Sequence, residues 1–355
     1  MHVLLITSTA SEKSGWGRLS AAAAQALREE GADVSLMTDE KERSAASFFR
    51  NCLRARKEAK RADVVHALDG WPYGVYGLAA VAGTRKKLFI NGIGTYSVAP
   101  LYSFARGPLM RLAYGRASKA FCISAYTKRE IEKGGVPSSK LDIVHLGTNA
   151  LPPASEKEIE AVRAANHIPA DAHPVILTVG AVKDRKGQFD TLKAVSILKE
   201  KHPTVMYVAA GAAEQPSYER RMREYARDHS LENNFRIVSG ADDSALSALY
   251  ALSTVFALNS TTDEAHHHFE GFGLVVLEAN MFGKPAVGSS GSGIEDAIKD
   301  GETGFLCAQR DPKDIAANIE RLLADYARMS ACAKAFSDKF NWRKTARAYL
   351  RSYAA

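Results

Sequence analysis

Short apolar runs alternate along the whole chain with longer stretches in which apolar residues recur every three or four positions. Runs of three to seven residues bounded by Gly, Asp or Lys suit buried strands, and the longer stretches carry the period of amphipathic helices. In the first half the strand-like runs are Val3–Thr7, Val34–Met37, Val64–Ala67, Leu88–Ile90, Ala120–Ile123 and Ile143–Leu146. The pattern restarts at Pro174–Gly180 and continues through Val205–Ala210, Phe235–Val238, Val255–Leu258, Pro285–Gly288 and Gly304–Cys307. From Asp311 the chain reads as helical to its end. Strands apolar on both faces, each followed by a helix, predict parallel sheets covered on both sides.

At 355 residues the chain exceeds the size at which one core stops growing, about 250–300 residues. The stretch from Thr148 to Glu156, with Pro152-Pro153 and small polar neighbours, reads as a linker. The expectation is α/β: two Rossmann-like, doubly wound domains facing across a cleft. The first would span residues 1–150, with the helix 341–355 packing back on it, and the second residues 151–340. A ligand would lie at the strand carboxyl ends.

Composition narrows the class. No apolar run approaches the roughly 20 residues that cross a bilayer, and the N-terminus lacks a secretory pattern. Cys52, Cys122, Cys307 and Cys332 are scattered without metal-ligand spacing, as in a reduced cytoplasmic protein. The net charge of +7 belongs entirely to the first 150 residues, where 22 Lys and Arg face 13 Asp and Glu. No acidic residue occurs from Gly70 to Arg129. Such asymmetry points to an anionic partner or an anionic membrane surface on the inner face of the membrane. No recognition motif accompanies the charge, so nucleic acid is not expected.

The densest chemistry lies between Glu270 and Asp296. Gly271-Phe272-Gly273 opens a predicted helix through Leu274–Phe282, and the free N–H groups at its start suit a diphosphate. Glu270 stands just outside that start. Glu278, eight residues on, lies on the same helix face, where a carboxylate can accept from a ribose diol. The residue types alone fit equally a buried helix with two solvated glutamates.

This segment resembles the Glu-x7-Glu signature of the retaining glycosyltransferases of the GT-B fold, family four. Lys284-Pro285-Ala286-Val287 and Gly291-Ser292-Gly293 resemble the block that follows it in that family. Thr178–Val195, Cys122–Ile131, Ile143–Asn149 and Asp300–Leu306 resemble further family segments in the expected order. The resemblance implies that Glu270 contacts the donor sugar and Lys186 neutralises the diphosphate, the two catalytic candidates. It implies backbone contacts to the donor from Gly271, Phe272, Gly273 and Leu274, a ribose contact from Glu278, and base contacts from Ser239 and Gly240. Gly15 and Gly17 would lie in a loop before a helix at Arg18–Glu30 and approach the donor phosphate or acceptor.

Two positions depart from the family pattern. Ala181 stands where an arginine is usual, with Arg185 or Lys183 as substitutes, Arg185 preferred. Ile93 stands where a histidine usually covers the reacting sugar, leaving Thr95 or Asn91 to serve by hydrogen bonding. Among His266, His267 and His268, adjacent rings do not readily share one ion, so no metal is expected; His268 is a candidate acceptor-side or sugar contact. Asp242 reads as a helix N-cap and His66 as a core or rim histidine.

The expected reaction moves a sugar, with retention, from a UDP- or GDP-sugar to a saccharide acceptor, lipid-linked or otherwise anionic, in envelope glycan or glycoconjugate synthesis. No cofactor is expected beyond the nucleotide sugar as substrate. The competing readings are another enzyme class on the same architecture, a catalytically weak sugar-nucleotide sensor, and a transferase with a soluble small acceptor.

Overall fold

The computed structural model describes residues 1–11, 14–39, 44–149 and 151–355. They divide into two compact units. The first comprises Met1–Gly147, Glu264–Gly271 and Phe340–Ala355, and the second Thr148–Asp263 and Phe272–Lys339.

In the first unit the described strands are β1 (His2–Thr7), β2 (Asp33–Thr38), β3 (Val64–Ala67), β4 (Lys87–Gly92), β5 (Lys119–Cys122) and β6 (Leu141–Ile143). All pair in parallel, in the order β2-β1-β3-β4-β5-β6. Alternation along β1 assigns its residues to two cores. Leu4 and Ile6 join the core carrying Ala55, Tyr76 and Met110, while Val3 and Leu5 join Leu27, Phe89, Phe121 and Tyr349 on the other face. The second of these cores is closed by the helix Trp342–Ala354, whose Ala346, Tyr349 and Tyr353 are buried at helical spacing. Its outer face is tied down by Arg343 and Arg347, each 2.7 Å from a carboxylate oxygen of Glu30.

The sixth strand differs from expectation. Leu141–Ile143 pairs with β5, Leu141 opposite Ala120 and Ile143 opposite Cys122, and the ladder ends with Val144 N–H donating to Cys122 O. Beyond it Leu146 is buried, Val144 is half-buried against the core that the C-terminal helix closes, and Thr345 Oγ1 donates to His145 O at 2.9 Å. Burial by a helix distant in sequence leaves the same apolar pattern as burial in a sheet.

The second unit's described strands are β7 (Val175–Val179), β8 (Met206–Ala210), β9 (Phe235–Val238), β10 (Val255–Leu258), β11 (Ala286–Ser289) and β12 (Gly304–Cys307). They form a parallel sheet in the order β12-β11-β10-β7-β8-β9. β7, β8 and β10–β11 are buried throughout, as a sheet covered on both faces requires. Strand order reverses at β1/β3 in the first sheet and at β7/β10 in the second, the positions where open α/β sheets leave a crevice at their carboxyl ends. Side-chain caps start many of the helices: Ser14, Ser44, Ser124, Ser155, Asp242, Asp311 and Asn341 each accept from an N–H in the first turn. Among the described residues no helix is long and apolar enough to cross a membrane.

Candidate active site

In the second unit the chain leaves β7 through Val179-Gly180-Ala181 and turns at Asp184–Lys186 into the helix Gln188–Leu198. Gly187 closes that turn with φ +67, and a Cβ there would fall 1.8 Å from Asn259 O, so only glycine fits. Two further bonds fix the turn against the loop after β10 and the end of β7. Thr261 N–H donates to Arg185 O at 2.8 Å, and Gln188 Nε2 donates to Ala181 O at 2.9 Å. The Lys186 side chain lies over Gly180, its Nζ 3.9 Å from where a Cβ would be. An ammonium is thereby held at the carboxyl end of β7, on the switch point. Lys183 is paired with Glu214 at 2.6 Å, which argues against it as the substitute for the arginine missing at Ala181. Arg185 has its carbonyl fixed in the turn.

The adjacent strand β10 leads to the helix Leu274–Met281, one residue shorter than expected at its end. Gly273 is its N-cap with φ +92 and no capping side chain, and Val276 N–H donates back to Gly273 O at 2.9 Å. Phe272 is buried, and Leu274 and Glu278 are half-buried on the helix surface. Tyr250 of the helix Asp243–Leu252 donates its hydroxyl to Glu278 Oε2 at 2.9 Å. Ser239 and Gly240, exposed after β9, precede Asp242, whose carboxylate caps that same helix by accepting from Ala245 N–H at 2.8 Å.

In the first unit Glu270 and Gly271 end a segment anchored by Phe269, which is buried against the Tyr126 ring at 5.0 Å. Thr127 Oγ1 donates to Gly271 O at 3.3 Å. A Cβ on Gly271 would meet Ile93 O at 2.0 Å, so the absence of a side chain is what lets this peptide approach the loop after β4. That loop, Ile93-Gly94-Thr95, has its own brace. Ser97 Oγ accepts from Ile93 N–H at 3.0 Å and donates to Asp69 Oδ1 at 2.6 Å. Burial pushes the Asp69 carboxyl up to about 7, while the bonds from Ser97 and Gly70 N–H pull the other way.

One acceptor-side reading changes with these positions. Asn91 is 1% exposed, and its Oδ1 lies 2.8 Å from His66 Nε2, so it belongs to a buried network rather than to a sugar-binding face. His66 itself is fully buried, with Nδ1 2.5 Å from the Tyr353 hydroxyl. Desolvation lowers it to about 4, opposed by the bond to Asn91. Thr95 is half-buried at the start of the helix Thr95–Val98 and is the remaining hydroxyl in that loop. Gly15 and Gly17 also move: they lie inside the helix Gly15–Glu29, not in a loop before it. Ser14 caps that helix by accepting from Gly17 N–H at 3.0 Å, a signal the Ser-Gly-x-Gly spelling carries and the glycines obscure.

His268 is exposed, and His267 stacks on Tyr102 at 3.9 Å. The rings of His266 and His268 are 5.9 Å apart, and among the described residues no three His, Cys, Asp or Glu side chains are grouped to hold a metal ion. Tyr250, Thr127, Asp69 and Ser97 were not singled out from sequence. Only the Ser124-x-x-Thr127 cap carried a local signal.

The profile of the glycosyl transferases group 1 family matches residues 160–338, and that of glycosyltransferase family 4 matches residues 14–150. Glycogen synthase of Mycobacterium tuberculosis is 32% identical over 184 residues, which are 51% of this chain and 42% of that protein. A GDP-mannose-dependent alpha-(1-6)-phosphatidylinositol monomannoside mannosyltransferase of Mycolicibacterium smegmatis is 26% identical over 225 residues, 62% of this chain and 58% of that protein. The chain thus spans about half the length of the curated relatives it matches. In fold it is similar to Anabaena HepE, solved in complex with UDP, with a TM-score of 0.81 and 18% identity over the whole of both chains. The match across the unit that holds Lys186, the helix start and Glu278 places the chain in the glycosyl transferases group 1 family.

Proposed function

We propose that the protein is a retaining, metal-independent glycosyltransferase that moves a sugar from a UDP- or GDP-sugar to a saccharide acceptor carried on a lipid. The observation that carries the reading is the placing, after adjacent strands β7 and β10, of the Lys186 ammonium and a helix start at Gly273 that no side chain caps. A nucleoside diphosphate leaving an anomeric carbon gathers negative charge, and a fixed cation with oriented N–H groups stabilises that charge without reorganising. Glu278 takes the ribose, Ser239 and Gly240 the base, and Glu270 with the backbone of Gly271, Phe272 and Leu274 the sugar. Arg185 adds the second cation. Thr95 and His268 stand on the acceptor side.

The carbon–oxygen bond to the diphosphate breaks as the acceptor hydroxyl attacks on the same face, which retains the anomeric configuration. The departing phosphate oxygen takes the hydroxyl proton, so the step needs no protein base. The names of relatives support the donor class and a lipid-borne acceptor: one is GDP-mannose-dependent and acts on a phosphatidylinositol monomannoside. HepE was solved with UDP.

The test is a thermal-shift screen of UDP-, GDP- and ADP-sugars, followed by release of the nucleoside diphosphate with acceptor present. A donor at about 100 times its dissociation constant should stabilise the fold by about 2.7 kcal/mol. Stabilisation without turnover on any saccharide acceptor would leave a sugar-nucleotide sensor instead.

A further inference from the structure

The Tyr250 hydroxyl has a position that apolar packing does not explain. Its ring is fully buried, stacked on Phe282 at 5.4 Å and tilted against Phe256 at 5.9 Å, and phenylalanine would fill that space as well. The hydroxyl extends from this core to the helix Leu274–Met281 and donates to Glu278 Oε2 at 2.9 Å. The nearest backbone acceptor, Val275 O, is at 3.5 Å, beyond a good O–H···O bond.

A glutamate on a helix surface turns freely about its terminal torsion. One neutral O–H donor on one oxygen restricts that rotation and leaves the negative charge intact. Two adjacent O–H donors on a ribose need such a fixed, acceptor-only group. We infer that Tyr250 is a positioning residue that orients Glu278 and makes the site prefer ribonucleotides to 2′-deoxyribonucleotides. The inference rests on the assignment of Glu278 to the ribose. The helix bearing Tyr250 starts at Asp243, directly after the Ser239-Gly240 loop assigned to the base, so one rigid element serves both ends of the nucleoside.

The test is calorimetric titration of wild type, Tyr250→Phe, Glu278→Ala and the double variant with UDP, GDP and ADP and their 2′-deoxy counterparts. The best-bound ribonucleotide should weaken about 3- to 10-fold in Tyr250→Phe, while its deoxy counterpart changes less than about twofold. In the Glu278→Ala background the tyrosine change should add nothing, because the coupling runs through the side chain that has been removed. Equal weakening of ribo- and deoxyribonucleotides, or no weakening of either, would overturn the role of Tyr250 and leave Glu278 untouched. Full ribose preference in Glu278→Ala would remove the ribose assignment itself. Absence of any ribose preference in the wild type would remove both.

Discussion

The Thr127 hydroxyl donates to the carbonyl of Gly271 at 3.3 Å, holding the Gly271–Phe272 peptide just after Glu270. Thr127 sits in the first turn of the helix Ala125–Lys133, held there by the Ser124 cap. If the Gly271–Phe272 peptide faces the donor sugar, loosening it should slow the chemical step. Thr127→Val removes the bond to Gly271 O, about 1 kcal/mol, together with the one its hydroxyl accepts from Ser124 Oγ, so kcat should fall about fivefold. Thr127→Ser should restore most of it. Equal kcat in all three proteins would detach this contact from catalysis.

Replacing Glu278 by Ala should leave the fold intact and weaken the nucleoside diphosphate. A hydrogen bond to a charged group contributes about 1.5–3 kcal/mol, or roughly 10- to 100-fold in affinity. An unchanged dissociation constant would take Glu278 away from the ribose.

Lys186→Ala should cut turnover by about 100-fold with every donor sugar alike, since the ammonium acts on the shared leaving group. A variant that kept its rate but changed its preferred sugar would refute that role. EDTA should leave wild-type activity unaltered, and its loss would direct attention back to His266–His268.

Much of this was readable before any coordinates. Eleven of the twelve expected strands overlap the observed ones closely, because each is an apolar run whose only neighbours are polar turns. Ile143–Leu146 misled because its second half packs beside a helix 200 residues later rather than in the sheet, and Ile143 itself is exposed. The Lys186-Gly187 turn and the Gly273 helix start were legible because local geometry demands glycine there. Asn91 was misplaced for the opposite reason: its partner is His66, a residue that sequence alone cannot bring beside it. Tyr250 and Thr127 act across helices, and no spacing along the chain records such a meeting.

Asp69 and His66 should oppose each other in the pH dependence of stability. Asp69, raised from 3.8 to about 7, holds a proton in the folded state that the unfolded chain has lost, so its contribution falls as pH rises from about 4 to 7. His66, lowered from 6.5 to about 4, is neutral when folded and charged when unfolded between those values, so its contribution grows over the same range. Asp69→Asn removes the first and keeps the second. Its stability relative to wild type should therefore rise from pH 4 to 7, by about 4 kcal/mol at most. Urea melts across this range would show a constant difference if Asp69 titrates like an exposed carboxyl.

The basic first unit should bind anionic lipid. Its helix Ala45–Glu58 leaves Phe49 67% and Leu53 69% exposed beside Arg50, Arg54 and Lys57, and Phe104 is completely exposed just before the helix Gly107–Arg116, where Leu112 is also exposed. These are one surface rather than two. Phe48 stands 6.1 Å from Phe49 and stacks on Trp71 at 5.5 Å, and the Arg106 guanidinium lies 5.4 Å from the Trp71 ring. Large apolar side chains among cations, with no acidic residue from Gly70 to Arg129, match the headgroup region of an anionic bilayer. Each basic residue near such a surface contributes about 1 kcal/mol, and salt screens the attraction. Co-sedimentation should therefore show binding to anionic vesicles at low salt, little to neutral ones, and release as salt rises. Phe49→Glu with Phe104→Glu should reduce vesicle binding at least tenfold without affecting turnover on a soluble acceptor. Equal sedimentation with anionic and neutral vesicles at low salt would leave a transferase whose basic face serves a soluble anionic acceptor.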